Sequence, residues 1–491
     1  MTQGIAIESG TLARSGLAPA AAARLARGSA AALIIFVISA GLAYCAQLAI
    51  ARMIGPEAYG QYAYVLAWVT VLAYASALGF DVSLLRFVPA YLSRHDLGLI
   101  RGVLRLSQRA VALAGIGVAA LGVGFVEIWS GDLPPALART FIIGFALVPL
   151  WALLWIRCSI ARAFGGVVSA LTPERIVRDA LLIGLLGIAG PVLGWRIGAP
   201  MAMAATVAGS AVALLLITLA ARRLRPAELA RITPAQANSV WFRAAAPLVL
   251  IGTVEPLMNR LGVMLLGWMG DITGAGVYAI VFNVAFLAML PRTAVNILFA
   301  PKAAELFARN DMAGLQQLIL RTSVWMVAGS LCIAVPLWLL ASPILALFGP
   351  GFAAGATALR VLLVGQVMIA GAGSQLYLMT MTGHERSAAL LIAGSAVFSV
   401  VLGGALVAMA GVLGAAVASV IAFVVWNVTM GVFVRRKLRL VPGVLSGLTR
   451  AAGRVWASEV AFVDGQDVAG LEKSLASRPA FRRDAVDGPK D

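Results

Sequence analysis

Twelve apolar runs, each about as long as a bilayer is thick, constrain this chain more than any other feature. A helix rises 1.5 Å per residue, so roughly 20 apolar residues cross the ~30 Å of hydrocarbon. The runs fall at about 29–51, 60–80, 107–129, 139–161, 176–194, 199–221, 244–267, 276–299, 324–348, 356–380, 387–409 and 411–434. With no water in the hydrocarbon, each backbone N–H and C=O must be satisfied inside its own segment, so such runs become helices. Composition agrees: 61% of residues are hydrophobic and 12% charged, against roughly 45–50% and about 25% in soluble chains. The expected fold class is an all-α polytopic membrane protein with about twelve transmembrane helices.

The net charge of +17 does not point to nucleic acid, because the cations lie in short gaps between apolar runs. The N-terminal arm carries Arg14, Arg24 and Arg27. Alternate gaps hold Arg86, Arg94, Arg101 and Arg105, then Arg162 and Arg175, then Arg222, Arg223, Arg225 and Arg231, then Lys302, Arg309 and Arg321, then Arg386. The tail opens with Arg435, Arg436, Lys437 and Arg439, while the intervening gaps hold only Arg52, Arg139 and Arg196. This is the positive-inside pattern, and it predicts both termini in the cytoplasm. The first 28 residues lack the apolar region of a cleavable signal. Cys45, Cys158 and Cys332 share no metal spacing and read as small apolar filler. The 81–106 and 300–322 segments are amphipathic. In the tail, Leu445, Leu448, Ala452 and Val455 form an apolar stripe opposite Arg450 and Arg454, as in a surface-lying helix or a solvated tail.

The two halves of the chain resemble each other. At an offset of 216, Gly60-Gln61-Tyr62-Ala63 falls on Gly276-Val277-Tyr278-Ala279, Arg86 on Lys302, and Leu104-Arg105-Leu106-Ser107 on Leu320-Arg321-Thr322-Ser323. Six helices per half is an even number, so both halves enter the membrane in the same sense. That is the parallel-repeat plan of two bundles around a central cavity. The expected organisation is an N-terminal arm (1–28), a first six-helix bundle (29–221), a linker (222–243), a second bundle (244–434) and a basic tail (435–491) that is partly disordered.

Charged side chains within spans are the strongest pointers to a site. The seventh run carries Glu255-Pro256-Leu257-Met258-Asn259-Arg260. Glu255 and Asn259, four apart, share a helix face; Glu255 and Arg260 share one only if the Pro256 kink turns them together. They read either as a structural ion pair or as a charged cavity wall. The first half has Ser39 and Tyr44 at the equivalent positions. Arg52 and Arg360 are weaker candidates that could snorkel to the outer interface, and Arg157 and Arg292 could snorkel to the inner one. Asn283, Asn296, Gln366 and Gln375 suit either a polar lining or interhelical hydrogen bonds. The two histidines, His95 and His384, both fall in gaps, and there is no P-loop, metal cluster or nucleophile–base arrangement. The outer gaps are too short to build a catalytic domain, so no enzyme and no cofactor is expected.

Two stretches resemble a known family. Ala51-Arg52-Met53-Ile54-Gly55-Pro56-Glu57-Ala58-Tyr59-Gly60-Gln61-Tyr62 is similar to the helix 1–2 signature of bacterial polysaccharide-biosynthesis (oligosaccharide) flippases. Leu78-Gly79-Phe80 with Leu85-Arg86-Phe87-Val88-Pro89-Ala90-Tyr91 resembles the helix 2–3 signature of the same family. The resemblance implies membership of the superfamily that also holds multidrug and toxin extrusion antiporters and lipid II flippases. It implies alternating access and transfer of a polyprenyl-diphosphate-linked oligosaccharide, such as an exopolysaccharide or O-antigen unit, from inner to outer leaflet of the bacterial inner membrane. Expected partners are that lipid-linked glycan, the bilayer, and other polysaccharide export and polymerisation proteins. Site expectations are Arg260, Glu255, Asn259, Arg52 and Arg360 for the cavity, Glu255 for proton or sodium coupling, and Arg86 and Lys302 as cytoplasmic anchors. The alternatives are a cation-coupled multidrug exporter and a membrane polymerase or ligase acting on lipid-linked sugars.

Overall fold

A computed structural model describes residues 19–444 apart from 130, 132, 191–193 and 195–196. Arg14, Arg196 and the expected tail stripe at Leu445, Leu448, Ala452 and Val455 lie outside the described residues. Nine apolar helical stretches among them are long enough to cross a membrane. Two of these contain a reversal. The stretch Pro19–Ser76 breaks at Gly55 (φ 76°) into α1 (19–54) and α2 (56–76). The stretch Glu385–Leu438 breaks at Ala410 and Gly411 into α11 (385–409) and α12 (412–438). A further span, α5 (167–189), is assembled from Val167–Thr172, a π-turn at Pro173–Val177 and Arg178–Ala189. The remaining spans are α3 (Leu97–Ile128), α4 (Pro135–Ala163), α6 (Ala199–Leu224), α7 (Asn238–Trp268), α8 (Ile272–Ala308), α9 (Met312–Leu339) and α10 (Phe352–Met381). That makes twelve spans, six in each half, and the chain is a multi-pass membrane protein. α1 begins at Pro19, well inside the segment expected as an arm.

The outer surface is apolar, as lipid requires. Leu113, Leu121, Leu390 and Val401 are each 70% or more exposed, and α3 buries little of its length. Trp129, Trp268 and Trp338, all exposed, cluster where α3, α7 and α9 end, which marks one interface with an aromatic belt. The opposite interface carries exposed Arg86 and Lys302 and is called the basic face below; the Trp side is the sparse face.

The two halves meet on an axis that exchanges equivalent residues. A Cβ on Gly60 of α2 would strike the Ile272 carbonyl oxygen, and one on Gly276 of α8 would strike the Pro56 carbonyl oxygen and the Gly60 backbone. Ile272 is the 216-offset equivalent of Pro56, just as Gly276 is of Gly60. A contact in which i touches j′ and i′ touches j is the signature of a twofold operator. The operator therefore relates two parallel bundles, as the even helix count requires. Both halves also repeat their internal links: Tyr62 OH pairs with Thr206 Oγ1 at 3.0 Å, joining α2 to α6, and Tyr278 OH pairs with Ser419 Oγ at 2.8 Å, joining α8 to α12.

The halves differ at the amphipathic segments. In the first, α2 stops at Leu78 and Gly79 (φ 53° and 69°) and a separate helix, Phe80–Leu92, follows. In the second, a short 3-10 turn at Leu287–Met289 leads straight into Leu290–Ala308. Glycine is required at the break: a Cβ at Gly79 would lie 2.6 Å from the Ala245 carbonyl oxygen and 2.9 Å from the Val249 nitrogen of α7.

Gly60→Leu should therefore destabilise the protein by at least about 1–3 kcal/mol, the usual range for overpacking. Gly184→Ala, on an exposed position with nothing within 4 Å of the new methyl, should be neutral. Thermal unfolding of the two variants in detergent, followed by tryptophan fluorescence, checks the contrast.

Candidate functional site

Toward the basic face from the Gly60–Gly276 crossing lies a cavity of about 490 Å³. Helical period sets its walls. α2 contributes Tyr59, Tyr62, Leu66, Thr70 and Tyr74, spaced three and four apart and so on one face. α4 contributes Trp151 and Trp155, one turn apart. Trp155 stacks on Tyr74 with centroids 4.0 Å apart, and Trp151 Nε1 donates to Ser210 Oγ at 2.9 Å. α1 and α8 close the wall between the halves, where Asn283 Nδ2 donates to Gln47 Oε1 at 2.9 Å.

The charges enter from α5 and α7. Pro173 has no N–H, and the chain takes a π-turn over Pro173–Val177. The cavity receives Glu174 and Arg175 from that turn and Arg178 and Asp179 just after it. Arg178 Nε donates to Asp179 Oδ1 at 2.8 Å, and its guanidinium lies 5.7 Å from the Trp151 ring centre. Arg260 reaches the same cavity from α7. Among the described residues it has no ion pair and no hydrogen bond. The groups acting on it electrostatically are the Tyr59, Tyr74 and Tyr62 phenols. An unpaired cation at this depth is unfavourable by several kcal/mol unless water or a ligand reaches it.

On the sparse side the cavity is shut by contacts between the halves. Arg52 Nε donates to the Leu347 carbonyl, and Tyr44 and Tyr59 pack edge-on against Phe348 and Phe352 with centroids 5.6 and 5.9 Å apart.

The residues expected from sequence are thus dispersed. Arg260 lines the cavity. Glu255 does not, and it forms no ion pair with Arg260: α7 runs helical through Pro256, and five residues of helix turn a side chain through about 140°. Glu255 instead faces the charge of Arg292 on α8, with Tyr377 of α10 close to both. Asn259 is half-buried outside the cavity. Arg52 belongs to the closure just described. Arg360 is half-buried on the sparse face, its Nε donating to the Trp338 carbonyl at 3.3 Å. Lys302 pairs on the surface with Glu305 at 2.8 Å, and Arg86 is exposed. Of the polar candidates, Asn283 lines the cavity, and Asn296 accepts a hydrogen bond from Ser374. Gln366 is buried elsewhere. Gln375 is likewise buried, and its Nε2 donates to the Ala372 carbonyl at 3.2 Å. Sequence reasoning missed the Arg178–Asp179 pair, although two adjacent charges within the 176–194 run were a legible signal.

Residues 25–116 match the model of a family described as "Polysaccharide biosynthesis protein". Both stretches singled out in the sequence fall within that segment. No curated protein matches the chain. Among solved structures, the chain aligns with an inward-facing multidrug resistance MATE family transporter of the MOP superfamily at TM-score 0.69, covering 83% of this chain and 98% of that one at 16% identity. The chain has the fold of that transporter. Lipid II flippase MurJ, in an inward closed conformation, is similar in fold at TM-score 0.60, 13% identity and coverage of 88% and 92%. The Vibrio cholerae MATE transporter VcmN aligns at TM-score 0.54, 15% identity and coverage of 82% and 98%.

Asp179 is buried, with 8% of its side chain accessible, so Arg178→Gln leaves an uncompensated carboxylate. Breaking a buried pair costs about 3–5 kcal/mol, and the cavity places this one at the low end. Adding Asp179→Asn should recover most of the loss, and a double-variant cycle of thermal melts in detergent measures both.

Proposed function

We propose that the chain is a flippase that carries a polyprenyl-diphosphate-linked oligosaccharide from the cytoplasmic to the outer leaflet by alternating access. The observation that carries this reading is an unpaired arginine, Arg260, inside an aromatic, polar-walled cavity within the span of the bilayer. Each sugar hydroxyl costs roughly 2–7 kcal/mol to strip of water without a new partner. The Tyr62, Tyr74, Gln47 and Asn283 side chains offer such partners, and the Trp155–Tyr74 stack offers apolar faces for pyranose rings. Arg260 serves as the diphosphate ligand, since a guanidinium fork matches phosphate oxygens and stays charged. Arg178 is neutralised by Asp179, and of the other two cavity cations, Arg175 and Arg260, Arg260 is assigned to the anion because it has no ion pair or hydrogen bond among the described residues.

In this reading the basic face is cytoplasmic, following the Lys and Arg distribution, so closure at Arg52, Phe348 and Phe352 is an inward-facing state ready to load. Two negative charges moving outward gain about 2.3 kcal/mol per charge per 100 mV. Glu255, which is not among the lining residues but acts on Arg292, Tyr377 and the cavity-wall Tyr74, is assigned a coupling role across α7, α8 and α10. The multidrug-exporter alternative draws on the Glu174 and Asp179 carboxylates, which would suit a cationic cargo.

The test is leaflet position in proteoliposomes. Arg260→Ala should lower transfer of a labelled lipid-linked oligosaccharide at least about tenfold, the equivalent of one lost charge-assisted bond, and Arg260→Lys should keep part of it. Full transfer by Arg260→Ala overturns the assignment. Ethidium transport that is abolished by Glu174→Gln, with no glycan transfer, favours the exporter.

A further inference from the structure

A second group of arginines lies outside the cavity, where α4 and α6 run side by side to the basic face. Arg157, half-buried, is in the last two turns of α4; Arg222, exposed, is in the last turn of α6; and Arg225, half-buried, directly follows α6. The charges acting on Arg225 are those of Arg157 and Arg222, and the charge acting on Arg157 is that of Arg222. Arg225 Nε and Nη2 and Arg157 Nε are shut off from solvent and have no hydrogen-bond partner among the described residues. Burial, together with these neighbours, pushes the Arg225 guanidinium down to about 10, which still leaves it charged at neutral pH.

Such a cluster is unfavourable as it stands. Each helix C-terminus supplies only about half a negative charge, too little for the half-buried Arg157 and Arg225 with Arg222 beside them. Buried N–H groups left unmade cost about 1–3 kcal/mol each, and more when charged. The missing component is an anion with several acceptor oxygens. Guanidinium forks match phosphate best, and the depth, at a helix-end interface on the basic side, is that of lipid headgroups. None of the three lines the cavity.

We infer that Arg157, Arg222 and Arg225 form a phosphate-binding site between the basic-face ends of α4 and α6, distinct from the cavity. The phosphate comes either from the headgroup of an anionic phospholipid or from a free phosphate ion. Occupancy would tie α4 to α6 and neutralise the foot of the first bundle.

The protein is reconstituted in nanodiscs containing phosphatidylglycerol and phosphatidylcholine, and retained lipid is read by native mass spectrometry. The wild type is expected to keep phosphatidylglycerol in preference to phosphatidylcholine, and Arg157→Gln/Arg225→Gln to lose at least about fivefold of it. Arg223→Gln, which removes a neighbouring cation that is not among the charges acting on Arg225, should retain it. Displacement by inorganic diphosphate identifies a free phosphate as the natural occupant, and resistance to it identifies lipid. Where the double variant does not fold, phenylglyoxal modification of wild-type Arg157 and Arg225 substitutes, with slower labelling in phosphatidylglycerol discs, or with added diphosphate, as the expected result. Equal retention by wild type and double variant, or labelling unchanged by either phosphate source, overturns the site.

Discussion

The close crossing of α2 and α8 at Gly60 and Gly276 is the contact on which the rest of the architecture depends. In lipid, apolar side chains gain little by leaving one hydrocarbon for another, so helices associate where small residues let backbones approach. Here the backbones meet at two repeat-equivalent glycines, which places the pseudo-twofold axis through the pair. The halves are joined on the sparse side by Arg52 and the Tyr44 and Tyr59 aromatic contacts. On the other side lies the cavity, whose upper walls, Tyr59, Tyr62, Ala279 and Asn283, belong to the same two helices. One crossing therefore sets both where the bundles touch and where the cavity begins.

The two bundles share a scaffold but not an interior. The Tyr62–Thr206 and Tyr278–Ser419 links start from equivalent tyrosines and reach equivalent helices about one turn apart, and both bundles have a left-handed residue at nearly the same place before α3 and α9, His95 and Asn310, with φ of 56° and 58°. Yet the cavity draws most of its wall from the first bundle. The comparable region of the second, around Met258, Leu261 and Ser399, encloses only about 10 Å³. The second bundle instead holds a half-buried acid, Glu255, within reach of the Arg292 charge. Duplicated helices diverge in this way because lipid constrains only length and outward polarity. The inward face is free to be wet and charged in one copy and dry in the other.

Charge placement follows the same physics. A charge in the membrane must pair, reach water or meet a ligand. Arg178 and Asp179 pair, Lys302, Glu305 and Arg309 form a surface cluster, and Arg360 reaches the interface beside Trp338. Arg260 and the Arg157–Arg222–Arg225 group do none of these through protein contacts alone, and for that reason they carry the functional proposals.

The sequence by itself determined the spans, their even number per half and the repeat, because hydrocarbon thickness, helix rise and loop charge are local quantities read directly from residue order. It also singled out Gly60 and Gly276 as equivalents. What only the tertiary structure decided is which charges meet. Glu255 and Arg260 lie five residues apart and point to different neighbours, since the Pro256 position did not turn α7 enough to bring them together. Arg178 and Asp179 enter the cavity just after the π-turn at Pro173–Val177. The rotation of a helix about its own axis is set by the packing of every neighbour at once, and no local pattern of apolar residues encodes it.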